Sequence, residues 1–234
     1  MLIFHSSPPG RQYFLLDPNF PDRLAQSGFY RTIRFLQYIF QQYARCGLSL
    51  SLDREIAISG LMERMKRVFQ TEQKNGVFAS YLARLLLWRR SEESTMEEVF
   101  EDQPSWSWMR YTAIEFEKVP HDLLIANDAT LRFDAEGKAL AVKFRSFQNC
   151  TVEHGTSAVL NAESRIMGTW WFETTLDPEL KQNVVVVGVE DNGMAETCWV
   201  LVTQKCSEDQ YRRVGLGKIG ARYISEEGHE GKLL

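Results

Sequence analysis

The apolar positions of this chain change period once, near its middle. Between residues 30 and 46, Ile33, Leu36, Phe40 and Tyr43 recur at spacings of three and four, the period of one helix face. Phe35, Tyr38 and Ile39 widen that face, which predicts a helix buried on more than one side. Gly47 follows as its C-cap. A second helix opens with Ser51 or Asp53 as its cap and carries Ile58, Leu61, Met62, Met65 and Phe69 as a stripe. A third helix is predicted over 77–89, with Phe78, Leu82, Leu85 and Leu86 inward. Short connections make the three antiparallel neighbours.

From Pro104 onward the period becomes two. Ile114 and Phe116 alternate with Glu115 and Glu117, Leu131 and Phe133 with Arg132 and Asp134, and Leu140, Val142 and Phe144 with Ala141 and Lys143. The stretch Asp134-Ala135-Glu136-Gly137-Lys138 predicts a hairpin loop. A second hairpin joins 184–189 to 198–203 through Asp191-Asn192-Gly193, and 211–219 offers a last strand. The expected fold class is α+β: an N-terminal three-helix segment, then a mainly antiparallel β region folded as a sandwich or half-barrel. The expected organisation is an irregular arm at 1–28, which holds four of the seven prolines, and a helical region at 29–92. An acidic linker follows at 93–103, with a capping-box pattern at Ser94-Thr95-Met96-Glu97, then a β-rich domain at 104–225 and a tail at 226–234.

Composition changes this picture little. Hydrophobic content of 44% and charged content of 25% are those of an ordinary globular protein. A net charge of -4 argues against a dedicated nucleic-acid binder. Cys46, Cys150, Cys198 and Cys206 have neither zinc-finger nor redox spacing, and no secretory leader is visible, so a cytoplasmic, reduced protein is expected. The longest strongly apolar run, 184–189, is too short to span a bilayer.

Each candidate for chemistry meets a plainer reading. Gly215-Leu216-Gly217-Lys218-Ile219-Gly220 spells a dinucleotide fingerprint but leaves 14 residues for the helix and strand such a site needs, so a strand kinked by glycines is the better reading. His5, His121, His154 and His229 form no metal-ligand spacing, and His154-Gly155-Thr156-Ser157 reads as a turn. Asp53 and Glu55 at i and i+2 share no helix face. Arg84, Arg89 and Arg90 read as a solvated edge paired with Glu92 and Glu93 rather than a phosphate site. Cys206 beside Lys205 has no partner base in view. Five of six tryptophans, Trp106, Trp108, Trp170, Trp171 and Trp199, fall in the β-rich part from Pro104 onward, and in Trp170-Trp171 one indole faces each side of an extended segment, so one of them is a candidate for stacking on a ligand.

The most telling segment is Pro104-Ser105-Trp106-Ser107-Trp108, at the change of period. In extended backbone its two indoles share a face and pin the first strand to the helices. Before it stand Asp53-Arg54-Glu55-Ile56-Ala57-Ile58-Ser59-Gly60 and Leu82-Ala83-Arg84-Leu85-Leu86-Leu87-Trp88; after it comes Tyr211-Arg212-Arg213-Val214-Gly215. In this order the segments resemble those of fungal heterokaryon-incompatibility (HET-domain) proteins: a D-x-x-x-A-I-S-G helix, an L-x-x-x-L-L-W helix, a P-S-W-S-W segment and a Y-x-R-V-G strand. The resemblance covers roughly residues 29–220 and is to the region after the effector core, whose own Y-x-A-L-S-Y-x-W-G type block this sequence does not contain.

The resemblance implies a role in self/non-self recognition and programmed cell death, as an accessory or regulatory region that is not an enzyme by itself. It implies a protein partner or an N-terminal effector domain, with self-association of the apolar helices. No cofactor, metal, nucleic acid or membrane is expected. The motif residues Asp53, Ser59, Gly60, Leu85, Trp88, Pro104, Ser105, Trp106, Ser107, Trp108, Tyr211, Arg213, Val214 and Gly215 are expected to be structural. The rival expectation is a free-standing β-sandwich that binds a carbohydrate-type ligand on exposed aromatics.

Overall fold

The computed structural model describes residues 20–46, 51–91, 100–125, 130–152, 157–174, 177, 180–191, 193 and 195–234. Most of the expected arm, the Gly47 cap, the 94–97 capping box and the His154 turn lie outside the described residues. A short helix α1 (Asp22–Ala25) leads into α2 (Phe29–Ala44), and α3 is Ser51–Phe69. Gly28 enters α2 at φ +90°, a conformation that favours a residue without Cβ. Ile33, Leu36, Phe40 and Tyr43 are buried as the period requires. Phe40 stacks on Trp108, with ring centroids 4.7 Å apart, and lies 6.5 Å from Phe78. The wide apolar face of α2 is therefore covered by the chain's own aromatics. Only its first turn shows large apolar surface, Phe29 at 44% and Tyr30 at 38% exposure.

The third helix expected over 77–89 does not form. Asn75 (φ 43°) and Gly76 (φ 78°) turn the chain between β1 (Gln73–Lys74) and β2 (Val77–Phe78), in the backbone that Asn-Gly favours in a two-residue hairpin. A Cβ on Gly76 would lie 2.7 Å from Trp108 Nε1, so the turn and the indole fit only with glycine. Beyond a 3-10 turn, helical backbone is confined to α4 (Leu82–Leu85), and Trp88–Arg90 forms β3. Leu85, Leu86, Leu87 and Trp88 are all wholly buried, and a run buried on every side carries no period that separates helix from strand. β3 pairs with β4 (Ile114–Phe116) in a two-stranded sheet of their own.

The remaining strands build one sheet of ten: β5 (Leu124–Ile125), β6 (Arg132–Phe133), β7 (Leu140–Phe147), β8 (Cys150–Val152), β9 (Ala158–Asn161), β10 (Ile166–Phe172), β11 (Gln182–Asp191), β12 (Glu196–Ser207), β13 (Gln210–Gly220) and β14 (Ile224–Leu233). Its main order is β12-β11-β7-β14-β13-β10-β9-β8, and β12 also pairs with β13. The pairings of β7, β11, β12, β13 and β14 thus close on themselves, one step beyond a half-barrel. A closed ring of five strands must hold a parallel pair, and it is β13 with β14, at Gln210 with Lys232 and Tyr211 with Leu233. Residues 226–234, expected as a tail, lie mostly in β14, which pairs with β7 from Gly228 to Leu233.

Along β11 and β12 the side chains alternate between two cores. Val184, Val186, Val200 and Val202 pack with Trp170, Val159 and Ile224, while Val185, Val187, Trp199 and Leu201 join the core that includes the helices. Burial on both faces explains why the valine run at 184–187 has no polar alternation. The second core reaches from Leu36 and Met65 in the helices to Leu216 and Leu233 in the sheet, so the helical and β halves share it.

The hairpin read at 134–138 forms between β6 and β7, with Phe133 opposite Leu140. Asp134 Oδ1 accepts from the N–H of Lys138 (3.0 Å) and Ala139 (3.2 Å), and Lys232 Nζ of β14 lies 3.5 Å from Oδ2. Burial acts to raise the carboxyl pKa, but the N–H groups of Ala139, Lys138 and Gly137, with Lys232, outweigh it and hold it below the usual carboxylate value. Such a group stabilises the fold above its unfolded pKa and loses that contribution as pH falls through the depressed one. Asp134→Ala is expected to cost about 1 kcal/mol at pH 7. In melts from pH 7 down to 2.5, the gap between wild type and variant should close below about pH 4; a gap that persists at the acid end would show that the charge is not what holds the turn.

Candidate functional site

The segments that carry the sequence resemblance meet at one buried point. Arg213 lies on β13, with its side chain fully enclosed. Its Nε donates to both oxygens of Glu173, at 3.1 and 2.9 Å, and its Nη2 to Glu173 Oε1 at 2.5 Å. Nη1 donates to the carbonyl of Leu86 at 2.7 Å, and Nη2 also donates to that of Trp88. The guanidinium lies over the Trp88 indole, 3.8 Å from the ring centroid. Glu173 follows β10 and is tied to β13 a second time, its N–H donating to Val214 O at 2.8 Å. Tyr111 packs against Trp88 with centroids 5.5 Å apart, and its hydroxyl is pushed up to about 12 by burial and by the nearby Glu173 carboxylate.

Ser105 supplies the next joint. Its Oγ accepts from Arg213 N–H at 2.8 Å and donates to the carbonyl of Leu234, which also accepts from Ser105 N–H at 2.9 Å. Leu234 N–H in turn donates to Tyr211 O at 2.8 Å. Ser107 Oγ accepts from Met109 N–H (3.0 Å) and donates to Asn75 O (2.8 Å), capping a 3-10 turn at Trp108–Arg110.

That turn corrects the extended reading of the Pro-Ser-Trp-Ser-Trp segment. Its indoles are both wholly buried but point to different neighbours. Trp106 packs on Phe133 of the sheet (5.8 Å), whereas Trp108 stacks on Phe40 of α2 and donates to Gly76 O at 2.8 Å. A turn rather than a strand lets adjacent tryptophans serve the two halves at once.

Leu85, Trp88, Pro104, Ser105, Tyr211, Arg213, Val214 and Gly215 thus gather around the junction. Asp53, Ser59 and Gly60 do not: all three are exposed on α3, and nothing lies within 4 Å of where a Cβ on Gly60 would sit. The α3 segment joins instead through its neighbours. Arg54 is buried and donates to Tyr111 O at 3.2 Å, with its guanidinium 4.9 Å from the Phe100 ring centroid, and Glu55 accepts from Gln103 at 2.5 Å. The end of the expected acidic linker is therefore packed against α3.

Sequence reasoning missed Glu173 and Arg54. Glu173 is the lone acid after three aromatics, Trp170-Trp171-Phe172, which is a signal for a buried partnered carboxylate. Nothing in the sequence pairs it with an arginine 40 residues on.

A cleft of about 450 Å³ lies beside the junction, lined by Ser105, Arg110, Tyr111, Lys138, Arg212 and Arg213 among others. Glu173 is sealed beneath the surface, so the raised carboxyl pKa that its burial produces, against the pull of Arg213, is not presented to a substrate. Among the described residues no three His, Cys, Asp or Glu side chains are grouped to hold a metal. Gly215 to Gly220 runs within β13, and a 3-10 turn rather than a helix follows. Cys198 is pushed up to about 11 by burial. Arg89 pairs with Glu115 and Glu117, each at 2.8 Å, and Glu92 and Glu93 lie outside the described residues. Trp170 is buried, and Trp171 is half-buried in a stack on Trp199. Trp170 therefore presents no open face for ligand stacking. No helix among the described residues is long and apolar enough to cross a membrane.

No family model, curated protein or solved structure matches the chain.

Arg213→Met leaves Glu173 buried without its cation, at a cost of about 3–5 kcal/mol. At about 2–4 °C per kcal/mol for a chain of this size, Tm should drop by about 6–20 °C. Removing the cation also leaves burial to raise the Glu173 pKa further. A carboxyl raised in the folded state contributes fully below its unfolded pKa and loses that contribution as pH rises. The Arg213→Met variant should therefore grow less stable from pH 5 to 8, and Arg213→Met with Glu173→Gln should lose that slope. Equal slopes in the two variants, read by thermal melts, would refute a buried charge pair.

Proposed function

We propose that this chain is an accessory, regulatory region of a fungal heterokaryon-incompatibility protein, non-catalytic by itself, which packs against an effector domain and restrains it or relays signals to it. One observation carries the reading. Three of the four segments behind the resemblance, 82–88, 104–108 and 211–215, supply the Trp88, Ser105 and Arg213 contacts of a single buried junction. Short motifs far apart in a sequence coincide in space when they serve one physical task, and here the task is to fix the helical front on the sheet. A sealed ion pair suits a scaffold that transmits force or position between domains.

The test is expression in a filamentous fungus from an inducible promoter, scored by growth and a vital dye. The chain alone should be tolerated. Joined to a HET effector core, it should change that core's killing, and the Arg213→Met form should lose the effect. Cell death from the isolated chain at modest expression would overturn the proposal, as would an effector core indifferent to its presence.

A further inference from the structure

A second cleft, of about 550 Å³, lies between α2 and the strand β4. It is lined by Tyr30, Arg34, Gln37, Gln41 and Arg45 along α2 and by residues 115–119 opposite. The helix positions are spaced by three or four, so they form one face. The opposite wall differs in kind. Of these only Glu115 and Phe116 lie in β4, and alternate side chains of a strand face opposite sides. That wall is therefore the backbone edge of β4 and its continuation.

The hydrogen bonds identify which edge it is. Ser91 N–H donates to Ala113 O (3.0 Å) and Glu117 N–H to Leu87 O (2.9 Å), so residues 113, 115 and 117 turn their backbone groups to the β3 side. By alternation, Ile114 and Phe116 turn theirs the other way, and the strand ends at Phe116. Among the described residues β4 pairs with β3 alone. At one end the cleft is tied shut: Arg84 donates to Pro120 O (2.8 Å) and His121 O (3.2 Å), and Tyr30 hydroxyl donates to His121 O.

Charge selects what fits there. The carboxylates in the lining, Glu115 and Glu117, are both engaged by Arg89. Arg34, Arg45 and Lys118 are exposed at the rim. Among the described residues neither Arg34 nor Lys118 makes an ion pair, so a chain of net charge -4 presents a cationic groove here.

We propose that this groove binds an extended acidic peptide segment of a partner protein, which adds as a strand to the free edge of β4 with its carboxylates toward Arg34 and Lys118. From Tyr30 to Arg45 the helix rises about 22 Å, the length of about seven extended residues. A strand edge favours a peptide over an oligonucleotide, because only a peptide backbone repeats donors and acceptors in register with it. The inference stands apart from the incompatibility reading and can fail without it.

The probe is a fluorescein-labelled (Glu-Val)4 peptide, titrated with the full chain and read by fluorescence anisotropy. Binding should weaken about tenfold in Arg34→Glu with Lys118→Glu. It should be unchanged in Lys138→Glu with Arg165→Glu, the same change of charge at two highly exposed positions outside the groove. The same peptide N-methylated at alternate residues, which leaves the protein unaltered, should also bind about tenfold more weakly if the backbone pairs. The proposal is overturned if the two peptides bind alike, if the control variant weakens binding as much as the groove variant, if a single-stranded dT8 binds as tightly as the peptide, or if no binding is seen at about 1 mM.

Discussion

The fold depends on where one guanidinium can find enough acceptors. Arg213 emerges from the middle of β13 into a space that excludes water, and a cation there is tolerable only if its donors are met. Glu173 supplies the charge, and Leu86 and Trp88 supply carbonyls from the chain segment at the start of β3. These carbonyls are not spare groups of a regular element. They are available because the backbone leaves α4 at Leu85 and becomes strand only at Trp88. The break in the expected third helix and the buried arginine go together: Leu86 and Trp88 turn their carbonyls to Arg213 from backbone that is no longer helical.

Ser105 extends the same logic to the chain's last residues. One hydroxyl accepts from Arg213 N–H and donates to Leu234 O, and β14 is held on both sides, by β7 and by this tie. A pair so enclosed adds little net stability over a well-packed apolar replacement, since desolvation offsets most of the attraction. What it adds is uniqueness: the Arg213 guanidinium meets Glu173 and the carbonyls of Leu86 and Trp88 together in one placement of the sheet against the helices.

The sequence made the regular parts legible. The period of α2, the stripe of α3, the 134–138 hairpin and the β11–β12 hairpin all followed from spacing, and with them the α+β class. The failures have physical causes. The 77–89 segment was read as helix because Phe78, Leu82, Leu85 and Leu86 fit that period, yet the Asn75-Gly76 pair before it carried a turn signal that local spacing outvoted. β14 escapes the pattern because Glu and Gly fill five of the six positions from Glu226 to Gly231, hiding a strand whose side chains are mostly exposed. β8, β9 and β10 are short or weakly alternating, and their pairing partners lie far off in the chain. For the junction, sequence order singled out Trp88, Ser105 and Arg213, but the acid that completes it is set by tertiary structure alone.

The contacts that fix the two halves also set an order of events during synthesis. Trp88 and Arg213 are 125 residues apart, and Ser105 and Leu234 are 129 apart. At about 5–20 residues per second, a ribosome takes about 6–25 s to travel from one partner to the other. Through that interval the buried run from Leu85 to Trp88 lacks β13, whose Arg213 covers the Trp88 indole. The nascent chain must carry its most apolar surface uncovered until β13 emerges, which makes it a natural client for chaperones and places the hazard of aggregation before the fold is complete rather than after.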